Sequence, residues 1–83
     1  MKKLLEFILG KIIDSPKDIT VEEIRGENNA FSFNIVAPKE KIGFIVGKNG
    51  RIIQAIRNAM KIAAVKENSL ILNIGVQEKQ LIG

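Results

Sequence analysis

Hydrophobic residues recur along the chain with two different periods, and each change of period marks a new element. Near the N-terminus they recur every three or four positions, which predicts an amphipathic helix over about residues 2–14. The Ser15-Pro16 pair is expected to end this helix, because a residue that precedes proline avoids the α conformation. The apolar stripe of this helix is formed by Leu5, Ile8, Leu9, Ile12 and Ile13.

Two β-rich runs follow and predict a hairpin over about residues 18–37. The first run alternates only in part, and the change of phase between Val21 and Ile24 predicts a bulge or a strand end there. Residues 26–29 have the composition of a turn. The second run, from Ala30 to Ala37, alternates cleanly between apolar and polar side chains.

Two helices and a last strand complete the pattern. The helices cover about residues 38–66; the first is opened by Pro38, and it ends at Gly47. The second helix is expected over about residues 51–66, and the last strand over about residues 69–76. The apolar face of the second helix is predicted to consist of Ile52, Ile56, Ala59, Met60 and Ala63.

The predicted order is therefore α-β-β-α-α-β, an α+β fold in a single domain that spans residues 1–83. A right-handed crossover of two helices should return the last strand parallel to the second strand. This gives a three-stranded mixed sheet with the 30–37 strand in its centre and helices packed on one face. The covered face is predicted to carry Phe31, Phe33, Ile35, Leu72 and Ile74.

Composition removes several classes of function. Cysteine and histidine are both absent, so the usual general base and the usual zinc ligands are missing. We therefore expect no enzyme activity, no metal site and no cofactor. The N-terminal apolar run is interrupted by Glu6 and Lys11 and is too short to span a bilayer, so we expect a cytoplasmic protein without membrane insertion.

Positive charge is concentrated in one third of the chain. Residues 39–66 hold seven basic residues and one acidic residue, a net charge of +6, whereas the whole chain carries +4. Such asymmetry points to an anionic partner. A solvated helix face is the alternative explanation of the same charge.

The segment Gly47-Lys48-Asn49-Gly50 joins the two predicted helices and carries the candidate chemistry. Glycine permits a tight turn and leaves no Cβ to hold a ligand backbone away. A helix begins directly after Gly50, and helix N-termini favour phosphate. Lys48 and Arg51 add full positive charges. A Walker A loop is excluded because the glycine spacing is one residue short and no Ser or Thr follows the lysine.

The run from Val46 to Ile53 matches the KH-domain pattern of an aliphatic residue followed by G-x-x-G-x-x-I. The chain resembles KH domains of the bacterial type II order, and in length it is similar to the small stand-alone bacterial KH proteins of the KhpA family. The resemblance covers nearly the whole chain. It implies weak, low-specificity binding of single-stranded RNA by the GXXG loop, and a role as a post-transcriptional regulator or RNA chaperone.

By position, the resemblance implies RNA contacts at Gly47, Lys48, Asn49 and Gly50, with Arg51 beside them. Ile45, Ile52, Ile53 and Val36 become candidates for an apolar groove, and Arg57 and Lys61 would extend the positive track. Core packing is the alternative for the isoleucines and is favoured for Ile52 and Ile56. A solvated helix face is the alternative for Arg57 and Lys61. The four phenylalanines are expected to lie mostly in the core.

A protein-interaction module is the second interpretation. Ile53 lies about 100° around the helix from Ile52, which makes it the better candidate for an exposed groove or a dimer interface. The resemblance implies pairing as a homodimer and with a larger KH protein of the KhpB (Jag) type, in control of cell elongation or division.

Overall fold

The computed structural model describes residues 1–13 and 18–79, and its elements follow the predicted order α-β-β-α-α-β. A single 3₁₀ turn, Lys48–Gly50, separates the second and third helices. The first helix ends at Ile12, since Ile13 is already extended, two residues before the predicted bound; Ser15-Pro16, the pair expected to end it, lies outside the described residues. The elements are α1 (Lys2–Ile12), β1 (Thr20–Arg25), β2 (Ala30–Ala37), α2 (Lys39–Val46), α3 (Arg51–Lys66) and β3 (Leu70–Glu78).

The sheet has the strand order β1-β2-β3, with β1 antiparallel and β3 parallel to the central strand β2. This confirms the predicted mixed sheet. The β1–β2 register is unbroken from the Thr20–Val36 pair to the Arg25–Phe31 pair, so the bulge predicted between Val21 and Ile24 is wrong, and the strand end predicted as its alternative lies just beyond Ile24, at Arg25. Ile24 instead continues the alternation onto the open face of the sheet, where 58% of its surface is exposed.

The irregularity lies in β3. Its register against β2 shifts between Phe31 and Ser32, because Ile71 pairs with Phe31 and Asn73 with Ser32. Leu72 is the extra residue of this bulge and is exposed, whereas Ile71 is buried. The prediction that Leu72 faces the helices is therefore wrong, since an inserted residue reverses the alternation upstream of it.

The core lies between the inner face of the sheet and the three helices. Phe33 and Ile35 of β2 and Ile74 of β3 supply the sheet side. Helix α3 turns Ile53, Ile56, Met60 and Ala64 inward, which is an i, i+3, i+7, i+11 stripe. Ala59 belongs to the predicted stripe but is exposed, and Ala63 is half-buried. Within the described residues, no helix has the length and the hydrophobicity that a membrane crossing requires.

Candidate nucleic-acid interface

The turn between α2 and α3 is built from three residues with positive φ. Gly47 has φ 77° and ψ 173°, Asn49 has φ 58° and ψ 25°, and Gly50 has φ 72° and ψ 18°. The first of these regions is open almost only to glycine, and the left-handed region of the other two is tolerated by asparagine. The Gly50 amide donates to the Gly47 carbonyl oxygen at 3.1 Å, which closes the turn. The residue types in the loop are therefore those that its backbone requires.

Gly47 is also required by packing. A Cβ built on Gly47 would lie 2.5 Å from Cγ1 of Ile52 and 2.9 Å from its Cβ and Cδ1. Ile52 thus packs directly against the loop backbone and is half-buried there. By contrast, a Cβ on Gly50 would have only the Ile53 Cγ2 atom nearby, at 4.0 Å. The two loop glycines therefore meet different constraints.

The tip of the loop is exposed and positively charged. Lys48, Asn49 and Arg51 are exposed, and none of their side chains makes a hydrogen bond or ion pair with any residue in the described ranges. No acidic residue occurs in the first turn of α3, and no side chain caps its N-terminus. The helix dipole and the two cations therefore act in the same direction, favouring an anion at this end.

The two basic residues predicted to extend this charge lie in different environments. Lys61 is exposed on α3. Arg57 is half-buried, and its guanidinium donates to the backbone carbonyl oxygen of Ile74 from Nε at 3.1 Å and from a terminal nitrogen at 3.0 Å. Arg57 therefore links α3 to the edge strand β3, and its side chain is not freely solvated.

The apolar groove predicted beside the loop is not present in that form. Ile45 has no exposed surface and Ile53 is 5% exposed, and both belong to the core cluster. The expectation that Ile53 is exposed is wrong, because the inward stripe of α3 begins at Ile53. Ile52 packs against Gly47 on the neighbouring side of the helix. The face of α3 that is turned to the core is therefore rotated from the predicted one, and it carries Ile53 where Ile52 was expected. Val36, the remaining groove candidate, is half-buried on β2.

The phenylalanines divide evenly between core and surface. Phe33 is buried and Phe31 half-buried, but Phe7 and Phe44 are 62% and 63% exposed. The expectation that all four lie mostly in the core is wrong for these two. Phe44 lies on α2, three residues before Gly47. The sequence signal for its exposure is its phase, since Ile42, Ile45 and Val46 already supply the inward side of this short helix.

Helix α3 also carries an exposed apolar surface on the side away from the core. Ile62 and Val65 are 62% and 73% exposed, and Ala55 and Ala59 on the same side are exposed as well. Among the described residues, no group of three or more Asp or Glu side chains is arranged to hold a metal ion.

The sequence of this chain is similar to one protein family and to relatives that carry the name of that family. The family described as KhpA/KhpB, KH domain, matches residues 2–74. RNA-binding protein KhpA of Clostridium acetobutylicum is 44% identical over 72 residues, which are 87% of this chain and 95% of the relative. RNA-binding protein KhpA of Clostridium perfringens is 42% identical over the same lengths.

Among solved structures, the chain is similar to Era in its complex with MgGDPNP and a segment of 16S ribosomal RNA. The TM-score is 0.68 at 15% sequence identity, and the match covers 93% of this chain and 30% of the Era chain. At that identity the likeness concerns the fold alone. The chain corresponds to less than a third of the length of that protein.

Proposed function

We propose that this chain, which belongs to the KhpA/KhpB family of KH domains, binds single-stranded RNA through the loop Gly47–Gly50. The family is one of RNA-binding domains rather than enzymes. We place the protein in the cytoplasm as part of this proposal. The relevant ligand is a flexible single strand, because the backbone of such a strand can approach the loop closely at its two glycines, which carry no side chain.

One observation carries the proposal: a glycine-bounded turn presents Lys48 and Arg51 free of partners within the described residues, at an uncapped helix N-terminus. This arrangement supplies backbone, dipole and cationic contacts for a phosphate. Contacts of that kind set the position of a strand without reading its sequence. We therefore propose low specificity and Kd values near micromolar, about −8 kcal/mol, as suits a general regulator or RNA chaperone.

The test is the double substitution Lys48→Asp and Asn49→Asp. Both positions are exposed, and aspartate tolerates the left-handed conformation of Asn49, so the fold should be retained. We expect binding of a labelled single-stranded RNA to be lost in a fluorescence-anisotropy titration. Wild-type binding should weaken as salt rises, with the linear log–log dependence of phosphate contacts.

The chain offers a matched control in Lys3→Asp with Asn29→Asp. Asn29 has φ 59° and is exposed in the β1–β2 turn, and Lys3 is exposed on α1. This pair changes the charge by the same amount and repeats the Asn→Asp change at positive φ, away from the loop. Circular dichroism reports the fold of each variant. If the folded loop variant binds RNA as well as the control does, the proposal that the Gly47–Gly50 loop binds the phosphates of the strand is refuted.

We also propose that the chain pairs through the exposed side of α3, with a second copy or with a larger KhpB-like KH protein in control of cell elongation or division. The exposed Ile62 and Val65 support this role. Linking two weak RNA sites would raise affinity through effective concentration. Ile53 is not part of this contact because it lies in the core.

Sedimentation velocity without RNA tests the pairing. We expect wild-type protein to be dimeric at tens of micromolar and Ile62→Glu with Val65→Glu to be monomeric. Ile24→Glu is the control, since Ile24 is also largely exposed, at 58%, but lies on the sheet. A monomeric wild type would end the homodimer proposal, and the same measurement with an added KhpB-like protein would then test the heteromeric one.

A further inference from the structure

Three of the four phenylalanine rings have a partner. The rings of Phe31 and Phe33 stack with centroids 6.5 Å apart, and Arg25 lies over Phe31 at 5.5 Å. The amino group of Lys11 lies 5.2 Å from the centroid of Phe7. Phe44 is 63% exposed, and no ring or cation in the described ranges is placed over it.

Phe44 stands next to the loop. It lies in the last turn of α2, three residues before Gly47, which is the C-cap of this helix. Gly43 precedes Phe44, and a Cβ built there would have no atom within 4 Å. The helix surface at Gly43 is therefore open, which leaves room for a planar group to approach the exposed Phe44 side chain.

The surroundings of Phe44 suit a nucleobase better than an apolar protein surface. Within α2 its neighbours at i−4 and i−3 are Glu40 and Lys41, and Gly47 and Lys48 follow directly after the helix ends at Val46; none of these four residues is apolar. Lys41 is paired with Asp18 at 3.6 Å. Lys48 is exposed at the loop end, and Glu40 lies one turn further from the loop. A strand whose phosphate meets Lys48 would thus place a neighbouring base, rather than another phosphate, over the ring.

We propose that Phe44 is an RNA-binding residue that stacks on a base adjacent to the nucleotides held by the Gly47–Gly50 loop. This rests on the proposed function of that loop. Stacking on an aromatic ring is tolerant of base identity because every base has a π-face. Phe44 therefore adds affinity for the strand without adding sequence preference, and it adds a contact that salt does not screen.

Three variants and three labelled ligands test the assignment. Phe44→Leu keeps an apolar side chain but removes the ring, Phe44→Trp keeps a ring, and Phe7→Leu removes the other exposed ring as a matched control. The probes are fluorescein-labelled uridine and adenosine decamers and a sugar–phosphate decamer without bases. We expect Phe44→Leu to weaken binding of both base-containing decamers by about 5- to 150-fold. Phe44→Trp should bind at least as well as wild type, and Phe7→Leu should be unchanged.

The decamer without bases separates the loss of base stacking from a change in the structure of the protein. Wild type and Phe44→Leu should bind it equally, because only the base contacts the ring. A decamer with 2-aminopurine should be quenched on binding wild type and much less on binding Phe44→Leu. The proposal is overturned if Phe44→Leu binds the base-containing decamers like wild type, or if it loses affinity for the ligand without bases to the same degree.

The loop variant separates this proposal from the proposed function. If Lys48→Asp with Asn49→Asp abolishes binding while Phe44→Leu has no effect, the loop function stands and the stacking role fails. If wild-type protein binds none of the decamers, both fail together.

Discussion

Alanine at the two loop glycines should have very different effects on stability. Gly47 adopts φ 77° and ψ 173° and faces Ile52 at close range, whereas Gly50 adopts φ 72° and ψ 18° and has only the Ile53 Cγ2 atom near its Cβ position, at 4.0 Å. Gly47→Ala therefore meets both backbone strain and an overlap. Gly50→Ala meets backbone strain alone.

The cost of each change follows from these two terms. The glycine-only region of Gly47 costs another residue about 1–3 kcal/mol. A Cβ 2.5 Å from Ile52 Cγ1 adds an overpacking cost of about 1–3 kcal/mol. Ile52 cannot swing away easily, because a β-branched side chain has essentially one χ1 rotamer in a helix. Gly47→Ala should thus lower the free energy of unfolding by about 2–6 kcal/mol, and Gly50→Ala by about 1–2 kcal/mol.

Urea unfolding followed by far-UV circular dichroism measures both values. A chain of this length has a total stability of roughly 4–12 kcal/mol, so Gly47→Ala should shift the midpoint far down or leave the chain partly unfolded. Gly50→Ala should keep a cooperative transition whose midpoint is lower than that of wild type but higher than that of Gly47→Ala. Equal losses for the two variants would refute the packing of Ile52 against the loop backbone. This difference is also why the RNA test uses Lys48 and Asn49 and leaves the glycines in place.

Two further outcomes follow from the packing. Gly10→Ala and Gly43→Ala should each raise the free energy of unfolding by about 0.5–1 kcal/mol, since a Cβ at either helical glycine has no atom within 4 Å. Lower urea midpoints would contradict this. Only Gly43→Ala should weaken RNA binding, because Gly43 lies beside the proposed stacking residue Phe44. Ile53→Arg should unfold the protein rather than dissociate a dimer, because it places an unpaired charge in the core; a cooperative urea transition near that of wild type would show that Ile53 is accessible.

The order of the sheet and the bounds of α2 and α3 could be predicted because local constraints determine them. The clean alternation of β2 specifies which of its faces is buried, and a one-residue slip would expose Phe33 and Ile35. Glycines on one side and a turn on the other bound α3 at Arg51 and Lys66. Pro38 precedes α2 as its N-cap, one position from where the proline rule puts it.

The rotation of α3 could not be predicted in the same way. Apolar residues lie on most sides of this helix, so two adjacent stripes fit its sequence almost equally well. The choice between Ile52 and Ile53 as the inward residue depends on where the sheet and the Gly47 backbone lie, which is tertiary information. The position of the bulge at Leu72 could not be predicted either. Leu70, Ile71 and Leu72 are all apolar, so alternation alone cannot select which of them faces the core.

The parallel pairing of β2 with β3 has a consequence for the rate of folding. The whole segment between Ala37 and Leu70, including α2, the loop and α3, must be arranged before the two strands can meet. Its closure entropy is lost before the ladder of hydrogen bonds forms, and such non-local pairing slows folding. The loop at Gly47–Gly50 sets the angle at which the two helices close, so variants of this loop should change the folding rate as well as the binding surface. Speed of folding and recognition of a ligand are in this way properties of the same short segment.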